Sequence, residues 1–338
     1  MSSQTPIHIN PVSDAERENI IKLEGIFLPS IRSRRDYLLS KSSHESPRFI
    51  HYTSAESALH IVSSKKIWMR NVACMSDYSE SVHGFNLLQK YFLVDQNKQR
   101  FFALIGSFAP GAAQEAMQRF DYWWQSGIIQ HRTFIASLSE HGDEEDSHGR
   151  LSMWRAFGGN SARVGIVLKV PKQSKAADAM DLLFTPVTYH DSADDVINRA
   201  VENISNESKF LKTLTKDSFV SWIAHMFLVV VTCTKHPAFE EEREWRVVYN
   251  SDLRSSPLID KSVEVIGGLP QVVHSLHLDE RFHPVLADLD LAKIIDKIIL
   301  GPTQYPMALV EAFASKLIDI KVQDMQGKII ISGIPLRT

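Results

Sequence analysis

The longest apolar run of the chain, FVSWIAHMFLVVVTC over 219–233, constrains its folding more than any other stretch. It falls short of the roughly 20 apolar residues that a membrane-spanning helix needs, and His225 lies inside it. The run is therefore expected to be a helix buried in a protein core, the end of a long helix over about 206–232. A chain of 338 residues that is 44% hydrophobic can build such a core, as one large domain or two small ones. The formal charge of -3 excludes the strongly basic balance of a protein that binds nucleic acid by charge alone, while a local basic groove stays open. Cys74 and Cys233 are the only cysteines, too few for a disulfide framework or a zinc site of their own. With so few cysteines, reduced cytoplasm is the expected location, and MSSQTPIHINPVSDAER carries no charged-then-apolar signal pattern.

The rest of the chain alternates short apolar strands with helical segments. Asp14 to Leu39 reads as a helix with a capping box in SDAE. RFIHYTS and KKIWMRN read as strands flanking a helix capped by Ser54. Helices are expected over 79–93 and 97–127. RTFIASLSE is a strand, HGDEEDSHG an acidic, flexible loop, LSMWRAFG a short helix, and RVGIVLKV, DLLFTPVTYH and EWRVVYN further strands. DKIILGP and GKIIISGIPLR close the pattern around a helix at 306–317. No repeat, low-complexity tract or long linker interrupts it. One α+β domain with a mixed sheet follows.

Several stretches could carry chemistry. In Phe49 to Thr53 a strand sends His51 and Thr53 to one face and Ile50 and Tyr52 to the other. His51 is then either a satisfied core histidine or half of a binding site. In FEEEREWRVVY, Glu244 and Arg246 share a face while Trp245, Val247 and Tyr249 point into a core. Glu242 and Glu244 are either solvated acids before a strand or a carboxylate pair held on rigid backbone. Asp77 and Glu80 either cap the following helix or border a pocket. Ser137 and Ser139 share one strand face. Met153, Trp154 and Phe157 suit an apolar helix face, and Gly158-Gly159-Asn160 make a turn whose amides could meet a phosphate. No Walker, dinucleotide or nucleophile-elbow pattern occurs, and His141 and His148 lack metal-ligand spacing.

Taken in order, the set resembles a bacterial family of uncharacterised proteins with an H-Y-T / M-W / E-x-E-W-R signature. The matching residues are His51-Tyr52-Thr53, Ser76-Asp77 to Glu80, Ser137 to Ser139, Met153-Trp154 to Phe157, Gly165, Lys235, Glu242 to Arg246, Ile298 to Pro302 and Ser332 to Arg337. The resemblance spans about 48–338. That family is similar in layout to the H-Y-E branch of the ADP-ribosyltransferase fold. The resemblance implies a mixed, split β-sheet core with inserted helices in one domain over 48–338, preceded by an N-terminal helical extension over 1–47.

It also implies NAD as substrate. His51 would bond the nicotinamide ribose as a donor and Thr53 would help hold the carboxamide. Glu244 would be the catalytic glutamate, and Glu242 would act on the acceptor. The cofactor set implied is His51, Tyr52, Thr53, Trp68, Tyr78 and Ser137; Tyr52 points away from His51, and either Trp68 or Tyr78 would stack on nicotinamide. Breaking the nicotinamide–ribose bond builds an oxocarbenium-like cation, which one fixed carboxylate stabilises without a metal. The expected function is an ADP-ribosyltransferase-like enzyme acting as a toxin or antiphage effector on RNA, DNA or protein, with an antitoxin or regulatory protein as partner and no membrane. The rivals are a metal-dependent nuclease using Asp77, Glu80, Glu242 and Glu244, and a non-catalytic sensor in which His51 and Glu244 close a buried polar network.

Overall fold

The computed structural model describes residues 12–41, 46–75, 78–157 and 162–335. Ser76, Asp77, the Gly158-Gly159-Asn160 turn and Arg337 lie outside them. Among the described residues twelve strands run β1 Arg48–Ser54, β2 Lys66–Asn71, β3 Thr133–Glu140, β4 Arg163–Lys169, β5 Leu183–Pro186, β6 Thr188–Tyr189, β7 Thr234–Lys235, β8 Glu244–Asn250, β9 Ile259–Ile266, β10 Leu269–His277, β11 Ile295–Leu300 and β12 Ile329–Ile331. Ten form one sheet in the order β12-β11-β4-β1-β3-β2-β10-β9, with β8 added on β3 and β5 on β8. β11 and β12 are parallel and the other pairs of this sheet antiparallel. The fold is thus α+β with a mixed, largely antiparallel sheet.

β3 is where the sheet forks. β8 follows it from Thr133↔Asn250 to Ser139↔Glu244. On its other edge β1 pairs only at Ser139 and Glu140, and β2 only at Phe134 and Ile135. The edge between them, at Ala136 to Leu138, has no strand partner among the described residues and must satisfy its backbone groups otherwise.

Alternation along β3 and β8 builds two cores. Phe134, Ala136 and Leu138 with Trp245, Val247 and Tyr249 pack under one face. Ile135 and Val248 face the opposite core, which the Lys216–Thr232 helix dominates through Phe219, Ile223 and Phe227. Each such fully buried side chain contributes about 2 kcal/mol. The apolar run is buried as expected, and among the described residues no helix is long and apolar enough to cross a membrane. Gly84 lets the Tyr78–Leu93 helix approach this one, since a Cβ there would sit 2.7 Å from the Val230 carbonyl.

Several element ends differ from the sequence expectation, most of them at a breaker. The expected 14–39 helix is two, Asp14–Phe27 and Pro29–Lys41. Pro29 lacks the N–H that a continuous helix needs. The Ser13–Glu16 capping box is present. The expected 97–127 helix breaks at Pro110-Gly111, where Gly111 takes φ +78°. The buried helix starts at Lys216, capped by Thr215, and Asp194–Asn206 is separate. DLLFTPVTYH is likewise two strands, and the last strand is only Ile329–Ile331. The β9–β10 hairpin has no counterpart in the expectations, although Gly267-Gly268 between alternating apolar residues is a hairpin signal.

The N-terminal helices pack into the core dominated by the Lys216–Thr232 helix. Leu23, Ile26, Phe27 and Ile31 are buried there, and Phe27 stacks on Trp222 with ring centroids 6.1 Å apart.

Candidate functional site

β8 opens with Glu244, whose side chain and that of Arg246 share the face that Ser137 and Ser139 present from β3. Glu244 is 5% exposed. Its Oε1 accepts from Ser137 Oγ at 2.5 Å and Arg246 Nε at 2.9 Å. Its Oε2 accepts from a terminal Arg246 nitrogen at 3.1 Å and lies 2.9 Å from Lys235 Nζ. Burial alone would raise the pKa of this carboxyl; the charges of Arg246 and Lys235 and the hydrogen bonds from Arg246 and Ser137 reverse that and hold it at about 2. A carboxylate has about four acceptor positions. With four donors on it, Glu244 is a fixed negative charge and not a proton acceptor at neutral pH.

The partners of Glu244 come from the small parallel pair β6–β7 as well. Lys235 ends β7 with 2% exposure and also donates to Glu242 Oε2 at 2.7 Å. Tyr189 ends β6, and its hydroxyl accepts the Glu244 backbone N–H at 2.8 Å. Burial raises the Tyr189 pKa, so the phenol stays protonated. Glu242 and Glu244 therefore converge on an ammonium, and among the described residues no group of three or more His, Cys, Asp or Glu side chains is arranged to hold a metal ion. Of the nuclease set, Asp77 and the Glu80 side chain lie outside the described residues.

The loop 141–149, expected to be flexible, is pinned by arginines. Arg48 pairs with Asp143, Asp146 and Asp296. Arg150 binds Glu145 through Nε at 3.0 Å, and its terminal nitrogens reach Ser139 Oγ and the carbonyls of Glu140, Glu241 and Glu242. It thus clamps the 3-10 turn Pro237–Glu242 against β3. That turn ends at Arg243, a non-glycine residue at φ +44°. The left-handed region costs a residue with a Cβ roughly 1 kcal/mol relative to glycine.

A cleft of about 670 Å³ opens over this cluster. Glu244 and Tyr189 line it, with Arg34, Arg150 and Arg243 as its cations and Glu140, Glu145, Glu240 and Glu241 as further acids.

His51 reaches the site indirectly. Its Nδ1 is 2.8 Å from the Ser137 carbonyl, on the unpaired edge of β3. A carbonyl only accepts, so Nδ1 carries the proton. Burial lowers the His51 pKa against the raising effect of that hydrogen bond, so the ring is neutral at pH 7 and Nε2 is an acceptor. The donor role implied for His51 by resemblance would need the charged ring. Ile50 pairs with Ser139, which puts Tyr52 and not His51 on the Glu244 side of the sheet. His51 and Glu244 are joined through one residue: the carbonyl of Ser137 meets the imidazole and its hydroxyl meets the carboxylate.

The remaining sequence candidates are dispersed. Tyr52 packs edge-on against Trp154 at 4.8 Å, and its hydroxyl accepts the Arg150 backbone N–H at 2.9 Å. Thr53 is half-buried beside Val164. Trp68 lies on β2 against His60, with ring centroids 4.3 Å apart, and does not line the cleft. Tyr78 is the first residue of its helix, and its side chain lies outside the described residues. Sequence reasoning missed Tyr189, Arg150 and Arg34. None stands in a motif, and only the folded contacts identify them.

Tyr52→Phe is expected to lower the unfolding free energy by about 1–2 kcal/mol, because the buried Arg150 amide loses its acceptor. Urea denaturation of the two proteins measures this.

Neither a curated protein nor a solved structure is significantly similar to this chain. Residues 153–247, from beside Trp154 to within β8 and so including Tyr189, Lys235, Glu242 and Glu244, match a family described as Protein of unknown function (DUF2971).

Proposed function

We propose that this chain is an ADP-ribosyltransferase-like enzyme that cleaves NAD at the nicotinamide–ribose bond. The observation that carries the proposal is the connection His51–Ser137–Glu244 across the fork in the sheet, ending in a carboxylate held ionised under a cleft. Heterolysis of the glycosidic bond leaves positive charge on the ribose ring and its oxygen. A preorganised anion in a site of low dielectric stabilises that charge with little reorganisation. Glu244 supplies the anion, and Lys235 and Arg246 fix its position. His51, neutral and on the other face of the sheet, holds the Ser137 carbonyl and so positions the strand whose Ser137 hydroxyl fixes Glu244. Glu242, which shares Lys235 and is less buried, is the carboxylate for the acceptor nucleophile. A toxin or antiphage role, with RNA, DNA or protein as acceptor, is part of the same proposal.

Incubating the protein with NAD carrying a labelled ADP-ribose group and cell lysate tests it. Release of nicotinamide and transfer of label by wild type, absent with Glu244→Gln and unchanged by a chelator, is the expected result. A folded wild-type protein that releases no nicotinamide and transfers no label overturns the proposal.

A further inference from the structure

Two arginines in the cleft have most of their donors uncommitted among the described residues. Arg34 gives Nε at 2.8 Å and one terminal nitrogen to Glu140, and its side chain is 37% exposed. Arg243 gives one terminal nitrogen to Glu145 and is 32% exposed. A guanidinium carries five N–H donors in a planar fork suited to phosphate oxygens. Their carboxylate partners are engaged elsewhere too: Glu140 accepts from the Trp245 indole at 2.8 Å, and Glu145 from Arg150. Of the acids that line the cleft, Glu140 and Glu145 are paired with its arginines and Glu244 with Lys235 and Arg246. Glu240 and Glu241 are exposed at the rim, where water and salt screen them.

Arg243 caps the 3-10 turn in a left-handed position that glycine would fill with less strain, directly before Glu244.

We infer that Arg34 and Arg243 form a clamp for the diphosphate of a dinucleotide substrate. The identity of that dinucleotide as NAD rests on the function proposed above. Arg34 belongs to the Pro29–Lys41 helix, so the N-terminal segment completes the substrate site. The clamp places the diphosphate in the same cleft as the carboxylate that faces the ribose.

Calorimetric titration with ADP and with adenosine tests the clamp in the full-length protein. ADP is expected to bind at least about tenfold more tightly than adenosine, with an affinity that falls as salt rises. Arg34→Gln and Arg243→Gly should each weaken ADP binding by about tenfold or more and leave adenosine binding unchanged. Arg243→Gly relieves the backbone and should melt no lower than wild type. Equal affinities for ADP and adenosine, or wild-type ADP affinity in either variant, overturn the inference. ADP held through both arginines without NAD cleavage keeps the clamp and removes the transferase. NAD cleavage with an unchanged KM in both variants does the reverse.

Discussion

Glu244→Gln is expected to lose nicotinamide release by on the order of 10²–10³-fold and to lose about 3 kcal/mol of stability. On the proposed function, the first effect follows from removing the anion that faces the developing cation. The second follows from what remains. Lys235 and Arg246 are 2% and 4% exposed, and the amide offers them an oxygen but no charge. The pH dependence separates this from ordinary loss of packing. The Glu244 carboxyl is lowered from 4.5 to about 2 in the folded protein. A depressed acid contributes stability that is complete above its unfolded pKa and is lost as pH falls through its folded one. For this group the window is between pH 4.5 and 2, and its depth is about 3 kcal/mol at 1.36 kcal/mol per unit. Wild type should lose that stability on acidification and Glu244→Gln should not, so their urea midpoints converge as pH falls. Midpoints that stay parallel would mean that Glu244 is not the charge that holds Lys235 and Arg246.

The contrast between β8 and its surroundings shows what the sequence makes legible. EWRVVYN declares its strand, its period and its inward Trp245, because alternation is a local property. Ser54 and Ser13 declare helix starts for the same reason. The partners of Glu244 are another matter. Lys235 stands nine positions upstream across a turn, Ser137 on a distant strand, and Tyr189 in a two-residue strand that alternation cannot detect. Pairing register brings them together, and no single stretch encodes register. Tyr52 illustrates the converse. The resemblance put it in the ligand set although the pleat turns it away from His51, and in the fold it packs against Trp154.

Trp154→Ala should cost about 4 kcal/mol, the largest loss expected of any single truncation in this region. Trp154 is completely buried, and its indole donates to the His148 carbonyl at 2.7 Å. Three glycines make room for the ring: a Cβ at Gly149, Gly301 or Gly165 would lie 2.8, 2.9 or 3.3 Å from it. The M-W, Gly165 and I-L-G-P motifs, scattered through the sequence, are thus parts of one packing unit. Trp154 sits on the short helix Leu151–Ala156, which begins directly after Arg150, the clamp on the Glu241 and Glu242 carbonyls. Emptying the space under that helix loosens the clamp, so the variant should also lose nicotinamide release while Glu244 stays intact. A double-mutant cycle isolates the packing term. Gly301→Ala is expected to destabilise wild type, because its Cβ meets the indole, and to cost less in Trp154→Ala, where the added methyl enters vacated space. Equal costs of Gly301→Ala in the two backgrounds would place the constraint on the Arg163 backbone, whose carbonyl oxygen lies 3.0 Å from the same Cβ position, and not on the tryptophan.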